Sequence, residues 1–321
     1  MTTTSPPRPP RRLRPAATTT RRPRVRHPRT PGELAFSVLL GLVCALVLFA
    51  TLYPIWFVLI ASVSSPAAVN TGQVWVLPAE LSLFGYEQIL SDGRIWTGYR
   101  NTILYTVVGT ALNLVVTLPA AYALSRREFA PRRPLMFFFA FTMFFSGGLI
   151  PQYLLYKDLG LLDNWLVFVI PSALNVYNLI IARAFFEHSL PEELFEAATL
   201  DGVSYLQFFL RIALPLSKAI VSVIGLYYLV QHWNDFFTGL IFVRDYDKQP
   251  LQIVLRDILL SNQAFAGGAG GAGGTGGAYG QQYADQIKYG VIIVSTLPVL
   301  LVYPFIQKYF EKGVMIGSVK G

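Results

Sequence analysis

Long apolar stretches alternate with short polar ones along this chain. A helix needs about 20 apolar residues to cross the hydrocarbon core of a bilayer. Six stretches reach that length, residues 35–62, 101–124, 135–156, 164–186, 217–243 and 288–309. The fourth and sixth contain Pro171, Pro298 and Pro304, which membrane helices tolerate where neighbours satisfy the freed carbonyls. The pattern predicts an all-α integral membrane protein with six transmembrane helices, its membrane domain covering residues 34–312.

The polar remainder has its own punctuation. Residues 1–33 hold nine arginines and eight prolines, and that proline density excludes a helix and predicts a disordered tail. It also excludes the amphipathic helix of a transit peptide, while the apolar run from Leu34 is too long for the h-region of a signal peptide. Residues 266–278 are almost entirely Gly and Ala and read as a flexible insertion in a loop. Residues 313–321 form a short C-terminal tail, and a polar loop over residues 187–216 separates the fourth and fifth stretches.

Composition narrows the class. The chain is 53% hydrophobic and 14% charged, too apolar for a soluble domain. Its net charge of +8 sets orientation rather than nucleic-acid binding, because the basic residues flank the spans or lie in the tail. With the N-terminus inside, 19 of the 26 Lys and Arg fall on the cytoplasmic side, among them Arg126, Arg127, Arg132 and Arg133, and seven fall outside. The positive-inside rule then places both termini in the cytoplasm.

Catalytic and cofactor signals are weak. Cys44 is the one cysteine, and His27, His188 and His232 are scattered among tail, loop and span, so no metal spacing or membrane-enzyme constellation forms. Gly268, Gly270 and Gly273 fit G-x-G-x-x-G but have neither the strand nor the helix that motif needs. No phosphate-binding loop occurs, so any ATP that drives the protein is bound by another chain.

The loop at 187–216 is the most legible segment. Ser189 with Glu192 and Ser204 with Gln207 have capping-box spacing, Pro191 suits a first turn, and Gly202 stands where a left-handed cap would end a helix. The expectation is helix, glycine bend, helix, with Pro215 bending the chain into the fifth span. Leu190, Leu194, Ala197 and Ala198 are expected to share one apolar face, which would seat either on the chain's own spans or on a partner.

Glu196-Ala197-Ala198, then Gly202, Ile212 and Leu214-Pro215 resemble, at matching spacing, the EAA loop of ATP-binding-cassette (ABC) importer permeases. Further likeness runs through Asn101-Thr102, Ala121 to Ser125, Phe145 to Pro151, His232-Trp233-Asn234, Pro250-Leu251-Gln252 and Tyr303 to Gly321. From Phe36 onward, the Gly-rich insertion excepted, the chain is similar to carbohydrate permeases related to the second permease of the maltose transporter, with most likeness to the LplC/YtcP-type group.

The resemblance implies the type I importer permease fold in a bacterial cell membrane. It also implies a heterodimer with a second permease, two cytoplasmic ATPase subunits that hydrolyse the ATP, and an extracytoplasmic solute-binding lipoprotein. Glu196, Ala197, Ala198, Asp201, Gly202, Leu214 and Pro215 would be the coupling residues.

For the substrate path, the polar run at Gln231 to Asp235 supplies Trp233, Asn234 and Asp235, and the fourth span supplies Asn175 and Asn178. Amides, carboxylates and aromatic faces suit a sugar; interhelical hydrogen bonding explains the same residues. A peptide permease would share the loop, and an ion-coupled secondary transporter would suit a buried Asp in broken helices.

Overall fold

The computed structural model describes residues 31–266, 287–302 and 304, with the side chains of 262–266 excepted. Residues 1–30, most of the Gly-rich insertion, the end of the sixth apolar stretch and the tail at 313–321 lie outside the described residues. Every described element is helical apart from one isolated bridge, Ser64 to Leu81.

Residues 1–53 and 54–321 are separate compact units. The described part of the first belongs to α1 (Pro31–Ser62), a helix of 32 residues whose Leu, Val and Phe side chains before Tyr53 are exposed all round. A helix apolar on every side is suited to lipid or to a partner helix. In the second unit, the end of α1 packs Phe57 and Ile60 against Ala68 and Val74 of the following segment, which includes α2 (Pro66–Asn70).

After α3 (Phe84–Ser91), α4 (Gly93–Ser125) runs for 33 residues, roughly 50 Å at helical rise. Asp92 caps it by accepting from Arg94 N. This helix is the spine of the unit, contacting α7 (Val176–Ser189), α11 (Lys218–Trp233) and α13 (Leu251–Ala266).

The third, fourth and fifth apolar stretches are broken where the sequence supplies breakers. The third, expected as one span, becomes α5 (Arg132–Phe144) and α6 (Leu149–Asp158), turned through 113°; Gly148 makes the turn at φ 84°. In the fourth, only a 3₁₀ turn, Trp165–Phe168, precedes α7, because Pro171 cannot donate to a ladder. The fifth is divided into α11 and α12 (Phe237–Phe242) around Asn234. The sixth is helical over Ile287–Val302.

Among the described residues, α1 and α4 are long and apolar enough to span a membrane as single rods, and two bent pairs reach that length together. The largest buried cluster joins α4, α7, α11 and the 190–216 loop through Leu118, Tyr122, Phe186, Phe208 and Tyr228.

Candidate functional site

The loop between α7 and α11 is built from local rules. Leu190 precedes a proline, which drives it to an extended conformation at φ −103°, ψ 112°. The chain therefore leaves α7 at Ser189 and begins α8 (Glu192–Leu200) after Pro191. The expected Ser189–Glu192 capping box does not form: Ser189 belongs to α7, and the N-cap is Pro191, which makes no side-chain cap bond. Glu192 and Glu193 instead place negative charge in the first turn, where the helix dipole favours it.

The other end of α8 follows the glycine signal. Gly202 takes φ 74°; its N–H donates to Thr199 O at 3.0 Å, and Val203 N donates to Ala198 O at 3.0 Å. These two bonds are a Schellman motif, with Val203 packed in the cluster that holds Ala198. Asp201 is the C-cap residue. One residue on, Ser204 and Gln207 form a complete capping box and open α9 (Tyr205–Phe208), followed by a π-helix at Phe209–Ala213 and α10 (Leu214–Leu216) carrying Pro215. The arm Tyr205–Leu216 then meets α11 at 83°, across Ser217.

Phe195 latches α8 to this arm, 5.0 Å from Tyr205 and 5.2 Å from Phe208 between ring centroids. Phe209 meets Tyr122 of α4 at 5.1 Å. Arg126 Nη2 donates to Phe186 O, and Arg183 Nε donates to Leu124 O, so the ends of α4 and α7 are tied together beside the arm.

The expected apolar face of α8 is corrected by this packing. Phe195 and Ala198 are buried, with Leu194 against them, whereas Ala197 points away from Ala198 and is exposed. Successive helical residues lie about 100° apart, and Ala198, with Phe195 three before it, has taken the core side. The opposite stripe, Glu193, Glu196, Ala197 and Leu200, is exposed at three- and four-residue spacing, Leu200 to 90%.

The second candidate region lies where broken elements meet. His232 Nε2 is 2.7 Å from Asn113 Oδ1, and Asn113 Nδ2 donates to Ser172 O in the unwound stretch before α7. One turn along, Tyr228 Oη bonds Thr117 Oγ1 at 2.7 Å and accepts from Asn175 N at 2.9 Å. These bonds give α4, α11 and the unwound stretch a buried polar seam.

The expected path residues divide accordingly. Asn175 caps α7 by accepting from Asn178 N, and Asn178 is buried. Trp233 is buried against Ile287–Val302 and donates to Ser295 O at 2.9 Å. Asn234 and Asp235 line a cavity of about 390 Å³ together with Gln152, Ser172 and Gln231. The amides on α6 and α11 are visible in the sequence, but nothing there says that they share a wall. Among the described residues, no group of three or more His, Cys, Asp and Glu is placed to hold a metal.

These features define a membrane-embedded helical transport component that presents one short helix outward from a latched loop. Residues 94–316 match the family described as binding-protein-dependent transport system inner membrane component, and the chain belongs to that family. It is 40% identical to the polygalacturonan/rhamnogalacturonan transport system permease protein YtcP of Bacillus subtilis, over 89% of this chain and 96% of that one. It is also 40% identical to the protein LplC of the same organism, over 84% and 90%.

Among solved structures, a chain of a bacterial ABC transporter involved in import of the acidic polysaccharide alginate superposes with TM-score 0.78 at 34% identity, covering 88% of this chain and 99% of that one. The protein is thus a permease subunit of an ABC importer with the type I fold, a transporter component rather than an enzyme.

Proposed function

We propose that this chain forms half of the translocation path of an ATP-driven importer of carbohydrates, with oligosaccharides as cargo. It would work as a heterodimer with a second permease, served by two ATPase subunits and an extracytoplasmic solute-binding lipoprotein. Both termini lie in the cytoplasm of a bacterial cell in this reading. The cargo class is supported by relatives named for polysaccharide transport and by a third, a melibiose/raffinose/stachyose import permease of B. subtilis at 24% identity.

The observation that carries the coupling role is the exposed stripe on α8. A solvent-facing row of Glu193, Glu196, Ala197 and Leu200 on a helix whose other face is fixed by Phe195 is a docking face with small, acidic and apolar groups in one line. Glu196 supplies the charge and Ala197 the close approach to the ATPase. Ala198, Asp201, Gly202, Leu214 and Pro215 act from behind, holding the helix, its bend and the arm that leads into α11. Closure of the ATPase dimer would move this loop and rock the spans, a rigid-body switch.

Reconstitution with the candidate partners tests the reading. Sugar uptake into vesicles should require ATP and the binding protein and ignore a collapsed ion gradient. Uptake that follows an ion gradient without ATP would replace this reading with a secondary transporter.

A further inference from the structure

The cavity at Asn234 and Asp235 carries a charge signature. Its wall is assembled from three discontinuous elements: Gln152 from α6, just after the 113° turn; Ser172 from the unwound stretch before α7; and Gln231, Asn234, Asp235 and Thr238 from the break between α11 and α12. Non-helical backbone at membrane depth is tolerated where it is buried in protein or lines a polar cavity, and transporter sites form at such broken helices. The volume, about 390 Å³, falls within the range of small-molecule sites.

The donor and acceptor inventory suits hydroxyls. Gln152 Nε2 donates to Tyr156 Oη at 2.7 Å, which leaves its carbonyl and a second N–H. Asn234 Nδ2 donates to Val230 O at 2.8 Å, which leaves Oδ1. Asp235 accepts from Thr238 N through Oδ1 at 3.1 Å, and the Thr238 side chain also hydrogen-bonds this carboxyl. Each of the wall's primary amides keeps an N–H as well as its carbonyl, so the cavity offers both donors and acceptors to sugar hydroxyls. Among the described residues, Asp235 is the one carboxyl on the wall, and no Lys or Arg lines it.

We propose that this cavity is a sugar subsite contributed by this chain, and that it admits neutral sugar units while rejecting uronates. The inference rests on the importer reading above. It departs from the acidic polysaccharides for which YtcP and the alginate transporter are named. A wall with one carboxyl and, among the described residues, no cation meets a uronate's carboxylate with like charge and no counter-charge, and rejection by such a repulsive group is a common route to specificity.

The test uses the complete transporter in proteoliposomes with its binding protein, comparing a neutral galactose oligomer with a galacturonate oligomer of equal length. Uptake of each is divided by the occupancy of the binding protein, measured separately, so that receptor preference cancels. Only preparations in which all subunits co-purify are compared. The wild type should move the neutral oligomer at least about tenfold faster, about 1.4 kcal/mol of discrimination.

Asp235→Asn should raise the uronate-to-neutral ratio at least about fivefold. Gln231→Lys, which adds a cation from a second position on the same wall, should raise it further. Equal handling of the two sugars by the wild type, or a ratio that neither variant moves, would overturn the proposal. Failure of the importer reading looks different, since no sugar of either charge would then enter on ATP.

Discussion

His232 Nε2 sits 2.7 Å from Asn113 Oδ1 in the interior of the α4–α11 pair, and the space for its ring exists because residue 109 is glycine. A Cβ at Gly109 would lie 2.9 Å from His232 Cδ2 and closer still to Cε1 and Nε2. Helix α4 therefore approaches α11 over a glycine and immediately uses the proximity for a hydrogen bond.

Gly109→Ala is expected to destabilise the protein by about 1–3 kcal/mol, the usual cost of overpacking, read as a lowered melting temperature in detergent. The double variant Gly109→Ala with His232→Ala should lose less than the sum of the two singles, because the added methyl then meets open space. Additive losses would show that the ring and the glycine do not share this contact.

Tyr228→Phe removes one hydroxyl and strands two groups, Thr117 Oγ1 and the Asn175 N–H. Leaving a buried donor or acceptor without its partner costs about 1–3 kcal/mol. Thermal unfolding of the purified variant checks this, with Tyr227→Phe as the control, since Tyr227 is 41% exposed.

Gly202→Asp is expected to abolish uptake while the protein still reaches the membrane. Nothing lies within 4 Å of a Cβ placed there, so the chain itself offers no clash; the strain of φ 74° costs an L-residue about 1–2 kcal/mol. That is small against the usual stability of a folded protein, about 5–15 kcal/mol, so under the proposed coupling role the loss falls on the loop's contact with the ATPase. Transport assays alongside membrane immunoblots decide it, and normal uptake would count heavily against the loop's role.

Ser204→Ala and Ser189→Ala should differ. The first removes a formed capping box and is expected to cost about 1 kcal/mol. The second touches no cap and should be near neutral. Melting curves of the two variants separate them.

The loop was largely legible in the sequence because its decisive interactions are short-range. Gly202 and Ser204 act on residues at most four positions away. Ser189 was misleading for an equally local reason, since Pro191 fixes Leu190 as extended before any box can close. The placement of Ala197 was beyond local pattern: on a helix of nine residues the apolar set fits more than one face, and Phe195 chose between them by packing edge-on against Phe208.

The third stretch reads as one span by hydrophobic length, and the 113° turn that Gly148 makes within it was not legible from that length. The polar seam was hidden most deeply. His232 was recognisable as costly in a membrane, yet its partner lies 119 positions away.

Asp92 gives a pH dependence outside the spans. Hydrogen bonds from Arg94 hold its carboxyl below the ordinary value despite partial burial. The folded pKa is depressed, so the pairing contributes fully above the unfolded value, about 3.9, and is lost as pH falls through the lower folded value. Wild type should therefore lose melting temperature below about pH 4 more steeply than Asp92→Asn, which keeps the cap acceptor without the charge. Parallel slopes would show that the pair contributes nothing.

The angle of 83° between the arm Tyr205–Leu216 and α11 has a mechanical meaning. Twelve helical residues make a lever roughly 18 Å long, set almost square to the shaft it joins at Ser217. A sideways push at the tip of such a lever becomes torque, twisting α11 about its own axis rather than sliding it. The side chains at its far end, Gln231 and Asn234 among them, would then sweep through an arc, and a small stroke at the loop would re-aim the groups lining the cavity without moving the helix from its seat.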